Sequence, residues 1–531
     1  MRFIVQTDRR IPSDTGPRAA ILLPDNWDDF GFRTSYDLWF RRTDGTRPIE
    51  IGRVKIAIPE QQPGPSPLPP GDFAEGLPAG LGEWVSLGQD GEYYERIAEL
   101  EQQGREILRS LGDITALESA HLTERKLNAL ARSSPVFDIS FMRNLSSRTL
   151  LHQYRRITAG GPKHAGYKFS YHFPERNTEI SARPPLEFEV RPNSVPSNNI
   201  HVLIGRNGVG KTTLLRSLAT AAVRPFDLPE TAGKITYIEE TGFANVLLVT
   251  FSAFDPFASI NASHTKTRYI HVGLTHVPDG ETCDSDPASL KGKEELVEEF
   301  LDSLKSIATS GHYDRWFDSL HTLASDPQFD AAIFLGGNLS GDRLNSRLIE
   351  GVTHEDEPAN IAGRSWREIF MNLSSGHAIV LLTLTRLVDL VGEQTLVLFD
   401  EPEAHLHPPL LSSFVRSLSE LLAERNGVAI IATHSPVVLQ EVPKSCVYKI
   451  SRPGGRARRP KIETYGENVG VLTHEIFGLE VMKSGFYAAI EKAVARFDTY
   501  EDVIGHFGNQ LGDEAKGLVR ILFADKREDV N

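Results

Sequence analysis

Alternation of apolar and polar positions dominates the first 58 residues. Tyr36–Arg41 and Pro48–Ile58 predict two strands, and the Asp-Gly pair in Thr43-Asp44-Gly45 predicts the hairpin turn between them. Residues 59–70 hold six prolines and predict an extended surface segment or linker. From Gly91 to about Ser119 the spacing of Tyr94, Ile97, Leu100, Ile107, Leu108 and Leu111 predicts helix. Residues 120–165 carry no dominant period. Tyr167–Phe173 and Leu186–Val190 predict strands, and Ile200–Ile204 predicts a strand that runs into a glycine-rich turn and then a helix, Thr212–Ala221. Strands follow near Lys234–Glu239 and Val246–Phe251, and helices within 292–324. The next run alternates helix 376–391, buried strand 395–399, helix 408–425 and buried strand 428–432. Cys446–Ile450 and Pro460–Thr464 bracket Gly454-Gly455 and predict a hairpin, and residues 467–531 are mostly helical in pattern.

These patterns predict an α/β chain in three parts. Residues 1–165 form a β-rich and helical N-terminal region, part of which could join the next domain. Residues 166–450 form the core, with a helical insertion at 252–370, and residues 451–531 carry the hairpin and a helical C-terminal region. A length of 531 residues agrees with three or four domains. The formal net charge of −14 excludes a surface that is nucleic-acid footprint throughout, so any DNA contact must be a local basic patch. Two cysteines, Cys283 and Cys446, exclude a disulfide framework and fit a reducing cytoplasm. The longest apolar runs fall far short of the roughly 20 residues that span a bilayer, and the first residues lack the apolar stretch of a signal peptide. The expected location is cytoplasmic, with no membrane partner.

Gly205-Arg206-Asn207-Gly208-Val209-Gly210-Lys211-Thr212 has the G-x-x-x-x-G-K-[ST] spacing. Backbone N–H groups can converge on phosphate oxygens there because glycine permits the close approach. Lys211 is placed to reach the β- and γ-phosphates of ATP and Thr212 to ligate Mg²⁺. Thr395-Leu396-Val397-Leu398-Phe399 predicts a buried strand ending in Asp400 and Glu401. Asp400 is the expected second Mg²⁺ holder, and Glu401 the general base that polarises the attacking water. Ser374 and Ser375, in Asn372-Leu373-Ser374-Ser375-Gly376-His377, fall at a helix N-terminus suited to a γ-phosphate. His434 follows the buried strand 428–432 at the γ-phosphate sensor position.

That ordered set resembles the ABC ATPase class, and within it the soluble SMC-like branch. The phosphate loop, Leu373-Ser374-Ser375-Gly376-His377, Asp400-Glu401-Pro402-Glu403-Ala404-His405-Leu406-His407-Pro408 and Ala432-Thr433-His434-Ser435-Pro436 carry the match. The resemblance implies a P-loop ATPase head with a helical lobe, working as a head-to-tail dimer. Arg206, Asn207, Gly208, Val209, Gly210, Lys211, Thr212 and Thr213 then contact the nucleotide in one subunit, while Ser374, Ser375 and Gly376 act on the other subunit's nucleotide. Glu401, His434 and Lys211 form the catalytic set. The runs Trp84–Tyr94 and Pro196–Gly208 further resemble the ATPases of Septu-type anti-phage defence systems, which implies a separate HNH-type nuclease as partner.

Departures from the ABC pattern bear on turnover. Ser375 and His377 stand where transporters usually carry Gly and Gln, and no glutamine follows the Val246–Phe251 strand, where Ser252 or Asp255 are the candidate substitutes. His405 and His407 admit two readings, dimer-interface packing or a metal site with Glu403. Glu514-Ala515-Lys516 has nuclease-like spacing but lies in a predicted helix, where a strand is needed, so no nuclease centre is expected in this chain. The basic run Lys449, Arg452, Arg456, Arg458, Arg459 and Lys461 reads either as a phosphate-backbone contact or as a charged edge hairpin. The apolar positions Leu472, Ile476, Phe477, Phe486, Tyr487, Ile490, Val494 and Phe497 mark residues 467–531 either as a docking surface or as a core of their own. Three functions therefore compete: regulation of a partner nuclease, direct DNA maintenance, and a nucleotide-held clamp with negligible turnover.

Overall fold

A computed structural model describes residues 1–13, 15–25, 28–43, 46–78, 83–143, 145–174, 183–224, 232–238, 242–251, 267–276, 290–310, 312–334, 365–451, 456–481 and 485–528. The Asp44-Gly45 turn, Ser252, Asp255, Cys283, Arg452 and the Gly454-Gly455 turn lie outside these residues, as does much of the 252–370 insertion. The chain divides into two compact units, Met1–His201 with Thr212–Thr433, and Val202–Lys211 with His434–Asn531.

The first unit opens with strands β1 (Arg2–Val5), β2 (Ala19–Pro24), β3 (Ser35–Arg41), β4 (Ile49–Ala57), β5 (Gly71–Phe73) and β6 (Val85–Gly88), ordered β5-β1-β2-β3-β4-β6 in one sheet. Period-two alternation splits their side chains between two faces. Phe3, Val5, Ala20, Leu22, Leu38 and Phe40 join the main N-terminal core, while Ile4, Ala19, Ile21 and Leu23 pack with Trp39 on the other side. The proline-rich segment opens with a turn at residues 59–60 and continues as bends, held to the connection between β2 and β3, where the Gly64 N–H donates to the Gly31 carbonyl (2.6 Å), and Leu68 is buried.

The stretch predicted as helix from Gly91 to about Ser119 is two helices, α1 (Gly91–Glu99) and α2 (Glu101–Leu111), followed by a 3-10 turn at Ile114–Ala116. The break comes where Glu101 takes φ +50°, and Gly104 lets α2 close on the Ile97 carbonyl where any side chain would collide. Residues 120–165 contain α3 (Ala120–Ser133), π-helical turns at Phe137–Phe141 and Thr149–Tyr154, and α4 (Arg155–Thr158). Within 137–154 the wider i→i+5 winding of the π turns shifts the apolar period away from 3.6, whereas α3 buries an ordinary helical stripe of Thr123, Leu127 and Leu130.

Strands β7 (Tyr167–His172) and β8 (Leu186–Val190) precede β9 (Ile200–Ile204), of which Ile200 and His201 belong to the first unit. After α5 (Lys211–Val223), β10 (Lys234–Tyr237) joins β7 and β8 in a small antiparallel sheet. Then β11 (Asn245–Thr250), β12 (Arg268–Gly273), β13 (Thr395–Asp400) and β14 (Val428–Thr433) run parallel in the order β12-β11-β13-β14. The near-continuous burial of β11, β13 and β14 is what strands covered on both faces require, while β12 at the sheet's end is buried only at its last two residues. Register pairs Thr250 with Asp400 and Asp400 with Ala432, so the strands end level, and ligands of open parallel sheets bind at such carboxyl ends. The helices are α6 (Lys293–Thr309), α7 (Tyr313–Leu323), α8 (Pro327–Phe334), α9 (Trp366–Asn372), α10 (Ser375–Leu390) and α11 (Pro408–Arg425). Trp316 is fully buried among them and donates its indole N–H to Thr385 Oγ1 (2.8 Å).

In the second unit the last residues of β9 pair in parallel with β15 (Val447–Ser451), which pairs antiparallel with β16 (Arg456–Arg458). The hairpin is real, but its return strand is 456–458 and not Pro460–Thr464. The return pairing begins at Arg456, directly after the glycines, and Pro460, lacking an N–H, stands just beyond the ladder's end. Helices α12 (Pro436–Gln440), α13 (Val469–Val481), α14 (Phe486–Arg496), α15 (Tyr500–His506) and α16 (Asp513–Glu528) complete the unit. Among the described residues no helix is long and apolar enough to cross a membrane.

Candidate nucleotide site

The phosphate loop gives each glycine a separate reason. Gly208 and Gly210 hold φ +77° and +94°, the region that L side chains rarely adopt. Gly205 takes an ordinary φ, but a Cβ there would come within 2.5 Å of the Ile450 carbonyl oxygen on β15. Arg206, Asn207 and Gly208 are exposed, Val209 is half-buried and Gly210 exposed. Lys211 is 4% exposed, and its ammonium donates to the Gly205 and Arg206 carbonyls at 3.0 and 3.1 Å. Thr212 is half-buried and Thr213 exposed in the first turn of α5, while Leu215 and Leu218 anchor that helix in the core.

At the end of β13, Asp400 is half-buried and Glu401 takes φ +48° and ψ 61°. A left-handed glutamate costs about 1 to 2 kcal/mol, and the surroundings hold it there. Its N–H donates to the Ala432 carbonyl (2.9 Å), its carbonyl accepts from Ala404 (3.1 Å), and Pro402 is buried at the start of the next turn. Glu403 accepts a 2.6 Å hydrogen bond from the Thr433 hydroxyl, a tie between the turn after β13 and the end of β14 that motif reading alone did not reveal. The signal was present as the threonine directly before His434, which is itself exposed in the second unit. A hydroxyl from Thr212 and a carboxylate from Asp400 are the hard oxygen donors that Mg²⁺ prefers.

Ser374 caps α10, its hydroxyl accepting from the His377 N–H at 3.4 Å, so the exposed Ser374 and Ser375 do stand at a helix N-terminus. Gly376 is required sterically: a Cβ would meet the His405 carbonyl oxygen at 2.6 Å. That contact packs the Leu-Ser-Ser-Gly-His segment against the turn after β13.

A metal site built from His405, His407 and Glu403 is not what the structure assembles. His405 Nε2 lies 3.2 Å from the Phe251 carbonyl and Glu403 is held by Thr433. His407 instead groups with His377 and the buried Asp326, their ligand atoms within 4.8 Å of one another. The Leu410 N–H donates to His407 Nδ1 (3.3 Å), so this imidazole caps α11, and Asp326 accepts the Gln328 and Phe329 N–H groups at the start of α8. Three distant chain segments supply that group, which no local spacing could announce.

The remaining sequence candidates are occupied structurally. Glu514 and Lys516 lie on α16, where Glu514 accepts from the Tyr487 hydroxyl (3.2 Å) and Lys516 faces Asp513 (3.8 Å). In the basic run, Lys449 donates to the Glu475 carbonyl, and the Arg459 guanidinium lies over the Tyr448 ring at 3.5 Å. Burial pushes the Lys449 ammonium down from its usual range. Ile490, Val494, Val503, Leu518 and Val519 close a core among α14, α15 and α16, with Tyr487 and Phe497 against it, so much of the C-terminal apolar surface serves this unit itself.

Comparison with known proteins follows this geometry. Residues 298–440 match the family model described as "AAA domain, putative AbiEii toxin, Type IV TA system". Protein ea59 of Escherichia phage lambda is 34% identical over 522 residues, covering 96% of this chain and 95% of that protein. The chain belongs to the ea59 family. Among solved structures, a nucleotide-free ATP-binding cassette of an ABC transporter covers 60% of this ea59-family chain and 100% of its own at 14% identity and TM-score 0.29. CbiO1 of Clostridium perfringens, part of the transporter complex cbiONQ, covers 65% and 100% at 14% identity and TM-score 0.27. This ea59-family protein thus combines a P-loop ATPase domain of mixed α/β fold containing a parallel sheet with a helical C-terminal region.

Proposed function

We propose that the protein binds ATP with Mg²⁺ and hydrolyses it in a head-to-tail dimer, as an SMC-like ABC-type ATPase. Lys211, the loop N–H groups of residues 206–213, Thr212 and Asp400 hold the nucleotide and its metal. Glu401 polarises water, His434 senses the γ-phosphate, and Ser374, Ser375 and Gly376 reach the nucleotide of the second copy. The observation that carries this reading is the phosphate loop, whose Gly208 and Gly210 stand at positive φ and whose buried lysine rests on carbonyls of its own loop. A bound phosphate offers that ammonium a far stronger partner.

Our proposal extends to output: hydrolysis regulates a separate HNH-type nuclease in anti-phage defence, as in Septu-type systems. The support is the resemblance of residues 84–94 and 196–208 to that family. Binding of DNA by the basic run is the weaker reading, because Lys449 and Arg459 already have partners within the unit.

Lys211→Ala tests the ATPase reading. Steady-state phosphate release should fall by at least 100-fold, and near-normal turnover would sink the P-loop assignment. Co-purification of wild-type protein with a neighbouring HNH nuclease, sensitive to ATP, tests the partner separately. DNA cleavage by the lone chain with Mg²⁺ would contradict it.

A further inference from the structure

A recess of about 430 Å³ opens in the first unit, and none of the nucleotide-motif residues lines it. Its walls come from the N-terminal sheet, the turn after Phe137–Phe141, β12, α6 and α10. Six cationic side chains face it, Arg53, Lys55, Arg143, Arg268, Lys305 and Arg386, against Asp29, Asp302 and Asp389. Part of that charge is matched. Buried Asp29 takes Lys55 at 2.7 Å and Arg143 at 3.1 Å, Arg53 reaches Asp25 at 2.9 Å, and Lys305 faces Asp302 at 4.0 Å.

The far wall is different. Among the described residues Arg268 and Arg386 make no ion pair. Arg386 donates to Ser303 Oγ (3.2 Å), yet its Nε is buried with no hydrogen-bond partner. Asp389 carries the opposite charge that acts on Arg268, but it is already bonded to the Ser306 hydroxyl (2.6 Å), and Arg386 and Arg143 bear on it as well. Asp389 therefore answers to three guanidiniums that line the same recess. A buried guanidinium edge without an acceptor is costly unless an anion supplies one.

We propose that this recess binds a small, multiply charged phosphate compound through Arg143, Arg268 and Arg386. Planar guanidinium forks match phosphate oxygens in pairs. The recess is bounded, and Asp29, Asp302 and Asp389 punctuate its wall, which suits a compact ligand and repels a long nucleic-acid backbone. Ser303, Ser306, Ser310 and Gln89 offer hydrogen bonds that a sugar or base could use. Arg386 lies on α10, whose first turn carries the Ser374–His377 segment. A ligand clasped between Arg143 and Arg386 ties the N-terminal region to the helix that presents that segment, and so tunes ATP turnover.

Calorimetric titration of Lys211→Ala protein with ADP and with inorganic tripolyphosphate tests this apart from the phosphate loop. Each probe should bind at one site per chain, and Arg268→Gln/Arg386→Gln should weaken it at least tenfold. Arg268→Lys/Arg386→Lys should restore part of the affinity. In a background with Lys211 intact, the glutamine pair should leave nucleotide binding at the phosphate loop unchanged. Tighter ADP than tripolyphosphate identifies a nucleotide, and equal affinity identifies phosphate alone. No binding to the Lys211→Ala protein, or binding indifferent to both arginines, overturns the proposal. Should Lys211→Ala not fold, the wild-type isotherm must show a second class of site that the glutamine pair removes; its absence overturns the proposal equally.

Discussion

The N-terminal region and the nucleotide motifs treat their polar groups in opposite ways. In the former, two buried carboxylates gather polar side chains around them: Asp29 serves Lys55, Arg143 and the Ser140 hydroxyl, and Asp113 accepts from Thr115 and Tyr94. In the latter, positive φ falls within the motifs themselves, at Gly208, Gly210 and Glu401, whereas in the N-terminal region Arg18, Phe30 and Glu101 adopt it only in loops and at a helix break. The two glycines adopt it freely, but Glu401 adopts it against its own side chain. The difference teaches where each region spends its stability. The first gains a specified core from paired charges, and the second accepts strain to aim a carboxylate.

Glu401 provides the sharpest break of that comparison. Glu401→Gln should lower turnover at least 100-fold, the scale of a lost general base, while ATP still binds and light scattering reports ATP-dependent dimers. Glu401→Gly should be equally inactive yet melt no lower than wild type, and up to about 1 kcal/mol more stable, because glycine removes the left-handed penalty and adds back some chain entropy. Rapid turnover in either variant, or a clear loss of stability in Glu401→Gly, would refute the strained-base reading.

The N-terminal network should respond in stability alone. Lys55 is buried beside Asp29, and burial pulls its pKa down while Asp29 pulls it up. Lys55→Met leaves the Asp29 carboxylate without its lysine, and urea unfolding should show a loss of about 3 kcal/mol. Asp29→Leu/Lys55→Met removes the stranded charge, and most of that loss should return, although Arg143 keeps its own charge there. A double variant no more stable than Lys55→Met would show that the pair matters as more than mutual neutralisation.

Much of this was legible along the chain, and the exceptions have physical causes. Glycine spacing announced the phosphate loop, and two buried strands announced Asp400 and His434, because those motifs are contiguous and their periodicity is strong. The Ser374 cap was legible for the same reason. What the sequence hid depends on contacts between distant segments or on a single unusual dihedral. Glu101 broke a helix that apolar spacing drew as continuous, and π-helical turns disturbed the period of residues 137–154. His407 found His377 and Asp326 where proximity in sequence pointed to His405 and Glu403. The apolar positions of the C-terminal helices look the same in sequence whether they meet a partner or one another, and Ile490, Val494 and Phe497 meet one another.

The finest test of the contrast lies in Asp113, whose acidity reports the N-terminal core directly. Complete burial raises its pKa to about 6 from 3.8, and hydrogen bonds from Thr115, Tyr94 and Gly88 offset that rise only in part. The folded state thus keeps a proton that the unfolded chain releases above its ordinary carboxylate pKa. Stability from this group is complete below pH 3.8 and is lost as pH rises to about 6, since the native state binds more protons across that window. The span corresponds to about 2 to 3 kcal/mol. Asp113→Asn cannot ionise, and its amide oxygen can still accept from Thr115. Urea unfolding between pH 4 and 7 should therefore show the stability difference, Asn variant minus wild type, growing with pH and levelling above 6. A difference independent of pH would mean that Asp113 is ionised in the folded protein, and that the N-terminal core tolerates a buried charge as the nucleotide motifs tolerate strain.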